Sequence, residues 1–152
     1  MIKVLFVCHG NICRSPMAEF LFKKLVNEQG LKDFFEIESK ATSTEEIGNK
    51  VHYGTRKILD KFNIDYSKKR AYQITLKDVE YYDYIIGMDY NNMRNLERMF
   101  GKNSKFSMLL DYPKLYRDVL DPWYTGDFNS TYNDIQLGIE VFLLYLKNNN
   151  EI

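Results

Sequence analysis

The pattern of apolar and polar positions predicts strands that alternate with helices. Four short apolar runs have the length and composition of strands, at residues 2–7, 34–39, 84–88 and 106–110. Apolar residues recur at helical spacing in four other stretches, near residues 18–25, 51–62, 93–100 and 132–146. Strands that alternate with helices usually pair in parallel, with right-handed crossovers and helices on both faces. The pattern therefore predicts an α/β fold around an open, twisted parallel sheet.

Residues at the ends of the helical stretches are typical of helix caps. Gly30 fits the position just after the first helix, and Asp89 and Gly101 fit the start and the end of the third. For the last helix the sequence offers Asn129 or Ser130 as the N-cap. We treat the apolar stripes between these caps as core-facing surfaces.

Composition narrows the class of protein. The 152 residues suit one domain spanning 1–152, and 45% hydrophobic and 28% charged residues are typical of soluble globular proteins. Lys+Arg and Asp+Glu are equal at 21 each, so no overall field favours nucleic acid or a membrane surface. The chain shows neither a signal peptide nor a long apolar segment. We therefore expect a cytoplasmic protein with no nucleic-acid or membrane partner, whose cysteines stay reduced.

Both cysteines lie in V-C-H-G-N-I-C-R-S at residues 7–15, directly after the first predicted strand. Open parallel sheets bind ligands beyond the carboxyl ends of their strands. Gly10 and Asn11 tolerate unusual backbone angles, so the chain can curl with its N–H groups pointing inward. Pro16 suits a first helical position, so the loop should lead into a helix N-terminus that favours an anion. Arg14 adds a planar fork that matches two phosphate oxygens.

The sulfur of Cys8 would lie among these positive groups, which stabilise a thiolate. Ser15 could donate a hydrogen bond to the same sulfur. In the spacing Cys-x5-Arg-Ser, Cys8, Arg14 and Ser15 each have a task in nucleophilic attack on phosphorus.

A disulfide, a metal site or a different phosphate loop would each account for the two cysteines less completely. A structural disulfide between Cys8 and Cys13 does not suit a reducing compartment. A zinc site would need both cysteines together with His9 and His52, at unsuitable spacing. A redox C-x-x-C is absent, and a Walker A loop would need a second glycine and a lysine. Buried, inert cysteines are common, but they leave the neighbouring Arg14 unexplained.

The segment V-C-H-G-N-I-C-R-S-P resembles, nearly residue for residue, the phosphate-binding loop of the low-molecular-weight protein tyrosine phosphatases. The resemblance continues in S-K-A-T-S-T-E-E-I-G-N at 39–49, D-Y-I-I-G-M-D at 83–89 and D-P-W-Y at 121–124. It implies a four-stranded parallel sheet with flanking helices and the phosphate-binding loop after the first strand. It also implies hydrolysis of phosphotyrosine and aryl phosphates through a phosphocysteine intermediate, without metal or cofactor.

The resemblance assigns roles to individual residues. The catalytic residues would be Cys8, Arg14 and Asp121, with Asp121 as the proton donor, although an Asp before Pro is otherwise a common turn former. Loop support and phosphate binding would fall to His9, Gly10, Asn11, Ile12, Cys13, Ser15 and Ser39. The substrate rim would contain Glu45, Trp123 and Tyr124, of which the two aromatic residues could line a slot for a ring.

Some expectations concern partners and departures from the family pattern. We expect phosphotyrosine proteins or peptides as substrates, inorganic phosphate as a product inhibitor, and a monomer. Glu45 stands where many members carry a bulky group, so it either disfavours acidic peptides or is an ordinary solvated residue. Ser67 is followed by Lys68, where the family often has a histidine, which puts a contact from that position to Asp89 in doubt.

Two other functions compete. Arsenate reductases that relay a disulfide use further downstream cysteines, and this chain has none after Cys13. A phosphotyrosine-binding module without activity would usually lack the nucleophile or the acid, and here Cys8 and Asp121 are both present. We therefore predict a phosphatase, in which Cys13 protects Cys8 through a reversible disulfide or else only packs beneath the loop.

Overall fold

The computed structural model describes residues 1–152 and contains one four-stranded, fully parallel sheet with strand order β2-β1-β3-β4. The strands are β1 (Ile2–Cys8), β2 (Phe35–Ala41), β3 (Tyr84–Gly87) and β4 (Phe106–Met108). The predicted α/β fold is confirmed, and each predicted apolar run contains a strand. The last run is only partly extended, because Leu109–Asp111 turns into a short 3₁₀ helix.

Six α-helices accompany the sheet, and each predicted helical stretch contains one of them. They are α1 (Arg14–Glu28), α2 (Tyr53–Asp60), α3 (Leu76–Tyr81), α4 (Tyr90–Phe100), α5 (Pro122–Thr125) and α6 (Phe128–Asn148). The short helices α3 and α5 were not predicted, because fewer than two turns leave no apolar stripe to recognise. Local capping defines α3 instead, through a reciprocal pair of contacts between Thr75 and Asp78. None of the helices has the length and apolar composition needed to cross a membrane.

The predicted caps are confirmed for α1 and α4 and wrong for α6. The side chain of Asp89 accepts a hydrogen bond from the backbone N–H of Asn92 (2.7 Å), and Gly30 and Gly101 both have positive φ. Helix α6 is capped by Asp127, which accepts from both the N–H and the hydroxyl of Ser130. Ser130 is therefore a donor to the cap, because the helix begins earlier than the apolar stripe suggests.

Pro16 is the third residue of α1 rather than the first, since this helix begins at Arg14. The first N–H groups of a helix have no intrahelical acceptor, so proline at this position breaks no hydrogen bond. The expectation that the loop leads directly into a helix N-terminus is confirmed.

The central strand β1 is buried on both of its faces, as expected for a parallel sheet. Val4 and Phe6 belong to the larger core, where α1, α2 and α6 pack on one face of the sheet. Leu5 and Val7 belong to the smaller core on the opposite face, with residues of α3 and α4. Because successive side chains of a strand point to opposite faces, one apolar run supplies both cores.

The order of the strands determines where a ligand can bind. Strand β2 lies on one side of β1, and the chain then crosses to place β3 and β4 on the other side. Such a switch point leaves a crevice at the carboxyl ends of the strands. Cys8 is the last residue of β1, so its side chain lies at this crevice.

Candidate active site

The loop between β1 and α1 curls around the sulfur of Cys8. The backbone N–H groups of Asn11 and Ser15 point at Sγ, with N–S distances of 3.3 and 3.4 Å, and the hydroxyl of Ser15 lies 3.0 Å from it. The N-terminus of α1, which carries a partial positive charge, begins within the same loop. Each of these contacts stabilises negative charge on the sulfur.

The shape of the loop depends on Asn11, whose φ of 58° lies in the left-handed region. Its side-chain nitrogen donates to the hydroxyls of Ser15 (2.8 Å) and Ser39 (2.9 Å). Its side-chain oxygen accepts from the backbone N–H of Tyr72 (3.3 Å). This geometry supports the loop-supporting role predicted for Asn11, Ser15 and Ser39.

A buried ion pair underlies this network and was not predicted from the sequence. Glu19 is only 2% exposed, and its carboxylate accepts a hydrogen bond from the hydroxyl of Ser39 (2.6 Å). The ammonium of Lys69 lies 2.9 Å from the same carboxylate and also donates to the carbonyl of Ser39. The segment that lacks the family's histidine thus contacts Glu19 through a lysine. It makes no hydrogen bond to Asp89, whose partners are Arg14, Asn92 and its own helix.

Arg14 is almost completely buried and lies between two carboxylates. Its Nη1 donates to Asp89 (2.7 Å) and to the carbonyl of Val119 (2.8 Å), and its Nη2 lies 3.5 Å from Asp121. Burial by itself lowers the pKa of the guanidinium, but the negative charges of Cys8, Asp89 and Asp121 outweigh it and raise the pKa. The side chain is therefore a permanent cation next to the sulfur.

The structure assigns Asp89 a second contact that the sequence did not reveal. One carboxylate oxygen caps α4 and the other binds Arg14. Its place at the carboxyl end of β3, beside Cys8 at the end of β1, was the available signal. A cap residue can thus serve the site when its helix begins at the same edge of the sheet.

Asp121 faces the sulfur loop from a separate segment. As the N-cap of α5, its Oδ1 accepts from the N–H of Trp123 (3.0 Å), which leaves Oδ2 directed towards Arg14. Pro122 occupies the first position of the helix, where its fixed φ suits the turn. The sequence separates Asp121 from Cys8 by more than a hundred residues, and the fold brings both to one cavity.

This cavity has a volume of about 110 Å³ and contains ten of the thirteen predicted site residues. Asn11, Ser15 and Ser39 lie behind the loop, where they hold its shape. The residues that line the cavity are Cys8, His9, Gly10, Ile12, Cys13, Arg14, Glu45, Glu46, Asp121, Trp123 and Tyr124.

The rim is partly acidic and partly aromatic. Glu45 lies 2.9 Å from His9 Nε2, so it has a definite partner although it is well exposed. Glu46 also lines the cavity and was not predicted, because nothing in the local sequence distinguishes it from a solvated loop residue. Its Cγ would be only 3.2 Å from a Cβ at position 10, so Gly10 permits this close approach. Trp123 and Tyr124 form the exposed aromatic wall.

The two cysteines differ in their surroundings, and both are free thiols. Burial, followed by the negative charges of Cys8 and Asp121, raises the pKa of Cys13 far above its ordinary value. Cys13 therefore stays protonated, whereas the sulfur of Cys8 receives hydrogen bonds that suit a thiolate. Reversible protection of Cys8 by Cys13 remains a prediction.

The fold and the site together define a class of protein. A reduced cysteine ends the central strand of a parallel sheet, and hydrogen-bond donors and an arginine surround its sulfur. No group of three or more His, Cys, Asp or Glu side chains is arranged to hold a metal ion. This is the design of the cysteine-dependent phosphatases, which pass a phosphoryl group to sulfur and then to water.

Comparison with known proteins identifies the family within this class. Residues 3–151 match the family model described as low molecular weight phosphotyrosine protein phosphatase. A low molecular weight protein-tyrosine-phosphatase from Bacillus subtilis is 40% identical over 100% of both chains, and a human phosphatase is 38% identical over 92% of both. The crystal structure of YfkJ from Bacillus subtilis superposes with a TM-score of 0.94 at 41% identity, covering 98% of this chain and 96% of that one.

The chain belongs to the low-molecular-weight phosphotyrosine protein phosphatase family. It is a hydrolase that removes the phosphoryl group from phosphotyrosine, and the phosphocysteine intermediate is general to this family.

Replacement of Asp89 tests its contact with Arg14. Asp89→Asn keeps an N-cap side chain for α4 but removes the charge that binds the guanidinium. We expect kcat/KM for p-nitrophenyl phosphate to fall about 10- to 100-fold, the value of a hydrogen bond to a charged group. The melting temperature should stay within a few degrees of the wild type. An unchanged kcat/KM would show that Asp89 only caps its helix.

Proposed function

We propose that Cys8, Arg14 and Asp121 carry out the hydrolysis of phosphotyrosine in this chain, with Cys8 as the nucleophile. The observation that supports this assignment most directly is the set of three donors around Cys8 Sγ, facing Arg14 and Asp121 across one cavity. No other nucleophile in the cavity has comparable stabilisation, since Cys13 is held as a neutral thiol.

The reaction would proceed in two balanced steps. The thiolate of Cys8 attacks phosphorus, the bond from phosphorus to the tyrosine oxygen breaks, and Asp121 gives its proton to that oxygen. A water molecule then attacks the phosphocysteine and gives a proton to Asp121, the phosphorus–sulfur bond breaks, and phosphate leaves. The thiolate of Cys8 and the protonated Asp121 are thereby restored.

Arg14 and the loop N–H groups would hold the phosphoryl oxygens during both steps. The guanidinium is already oriented by Asp89 and the carbonyl of Val119, so it need not be ordered when substrate binds. Catalysis of phosphoryl transfer depends mainly on such positioning and on electrostatic stabilisation. Free phosphate offers the same oxygens, which supports product inhibition.

The walls of the cavity suit an aromatic leaving group on a protein. Ile12, Trp123 and Tyr124 provide apolar surface along the path from the sulfur to solvent. Glu45 and Glu46 place negative charge at the opening, so phosphotyrosine with basic neighbouring residues should be favoured. We assign His9 and Glu45 to this rim as an interacting pair.

We further propose that residues 1–152 form one functional domain that acts as a monomer in the cytoplasm. Both cores pack on the same sheet, and all assigned site residues come from one chain, which supports these proposals. A reducing compartment would also keep Cys8 available as the nucleophile.

The covalent mechanism is tested by removal of the nucleophile. Cys8→Ser should abolish hydrolysis of p-nitrophenyl phosphate, and Arg14→Ala should leave only traces, since neither sulfur nor phosphate is then held. The wild type should retain full activity in a metal chelator, because no step uses a metal. An active Cys8→Ser variant, or activity lost to chelator, would refute the mechanism.

The role of Asp121 is tested with two leaving groups. Asp121→Asn keeps an acceptor for the N–H of Trp123 and removes only the proton. We expect kcat on a phosphotyrosine peptide to fall about 100- to 10,000-fold, the usual contribution of a general acid. The loss on p-nitrophenyl phosphate should be much smaller, because nitrophenolate leaves without protonation. Equal losses on both substrates would indicate a purely structural Asp121.

The role of Glu45 is tested by removing its charge. In Glu45→Gln the ratio of kcat/KM for a phosphopeptide with basic flanks to that for one with acidic flanks should fall about two- to fivefold, the range of exposed charge pairs. The two peptides control for each other, because both need the same chemistry. A constant ratio would leave Glu45 as a solvated residue that only contacts His9.

A further inference from the structure

An aromatic stack lies outside the phosphate loop and connects three separate parts of the chain. The ring of His52 is parallel to that of Phe128, with centroids 5.3 Å apart and planes 8° apart. The same histidine ring meets Trp123 edge-on at 5.3 Å and 73°. His52 therefore lies between the aromatic wall of the active site and the start of α6.

The backbone of His52 is fixed independently of these ring contacts. Its N–H donates to the carbonyl of Ile12 in the phosphate loop (2.8 Å). As the N-cap of α2, its Nδ1 accepts from the N–H of Gly54 (3.1 Å), which orients the ring. The histidine is thus anchored to the loop that carries the nucleophile.

The opposite side of the stack is fixed by Gly54. A Cβ at this position would lie 2.3–2.5 Å from ring atoms of Phe128, so only glycine lets the phenylalanine pack here. Phe128 and Trp123 belong to one short segment, joined through Gly126 with φ of 71°. Contacts with His52 at both of these residues restrain the segment against α2.

We propose that His52 is a positioning residue that holds Trp123 at the edge of the cavity and thereby sets the affinity for the aromatic ring of the substrate. Trp123 is 57% exposed and the ring of His52 is its one aromatic partner, so little else restrains its indole. The inference rests on the proposed role of Trp123 as a wall of the substrate site. His52 does not line the cavity and acts only through Trp123.

Two variants separate the ring from the cap. His52→Asn keeps a side-chain acceptor for the N–H of Gly54 but has no ring to place against Trp123. His52→Phe keeps a ring between Trp123 and Phe128 but has no acceptor for the cap. A structural role in α2 would make His52→Phe the more damaging change, and a positioning role would make His52→Asn more damaging to substrate binding.

Trp123 is the one tryptophan of the chain, so its fluorescence reports on this contact alone. In His52→Asn we expect lower steady-state anisotropy and emission shifted to longer wavelength, because the indole becomes more mobile and more hydrated. KM for a phosphotyrosine peptide should rise about two- to tenfold, the worth of one aromatic contact, with kcat changed less than KM. His52→Phe should restore the anisotropy and most of the KM, and it should melt at a lower temperature than the wild type.

The proposal would be overturned if His52→Asn kept the anisotropy and the KM of the wild type. It would also be overturned if His52→Phe raised KM as much as His52→Asn, since the cap would then explain both effects. The fluorescence measurement needs no turnover, so it tests the positioning of Trp123 even if the catalytic roles proposed above are wrong. Changed anisotropy with unchanged KM would refute the link to substrate while leaving the catalytic roles untouched.

Discussion

The burial of one positive charge is the constraint on which the active site depends. The guanidinium of Arg14 is almost without solvent contact, and an isolated charge in such a place would be strongly unfavourable. The fold compensates it with Asp89, the carbonyl of Val119, and the nearby Asp121 and Cys8. Several elements must therefore meet at one edge of the sheet before the arginine can be buried. Folding and formation of the site are one process here.

The same arrangement explains how a single loop can hold an anion and a nucleophile together. Hydrogen bonds from Asn11 and Ser15 already point at the sulfur, and the dipole of α1 acts in the same direction. The left-handed backbone at Asn11 is stabilised by side-chain contacts to Ser15 and Ser39, which in turn meet the buried Glu19. Preorganised donors need no rearrangement during the reaction, which is how electrostatic catalysis is most effective. The loop is rigid because its supports are themselves buried and paired.

Chemistry and specificity occupy different parts of the structure. The loop and Arg14 bind phosphoryl oxygens, which every phosphate ester shares, so they do little to distinguish one substrate from another. Selectivity must come from the rim, where Glu45 adds charge and Trp123 adds aromatic surface. These rim residues lie on segments that the core restrains only indirectly, through contacts such as that of His52. Substitutions there can change substrate preference without disturbing the buried charges.

The sequence by itself determined the fold class and the loop, because both depend on local patterns. Apolar runs and stripes predict strands and helices from their period, and the spacing of Cys8 and Arg14 lies within one short segment. Only the tertiary structure decided which distant residues meet that segment. Asp89, Glu19 and Glu46 looked like a helix cap, a helix residue and a loop residue, and nothing local reveals a partner dozens of positions away. The role of Asp121 was predicted through a family resemblance for the same reason. Its approach to Arg14 depends on how the strands are ordered and where each helix begins.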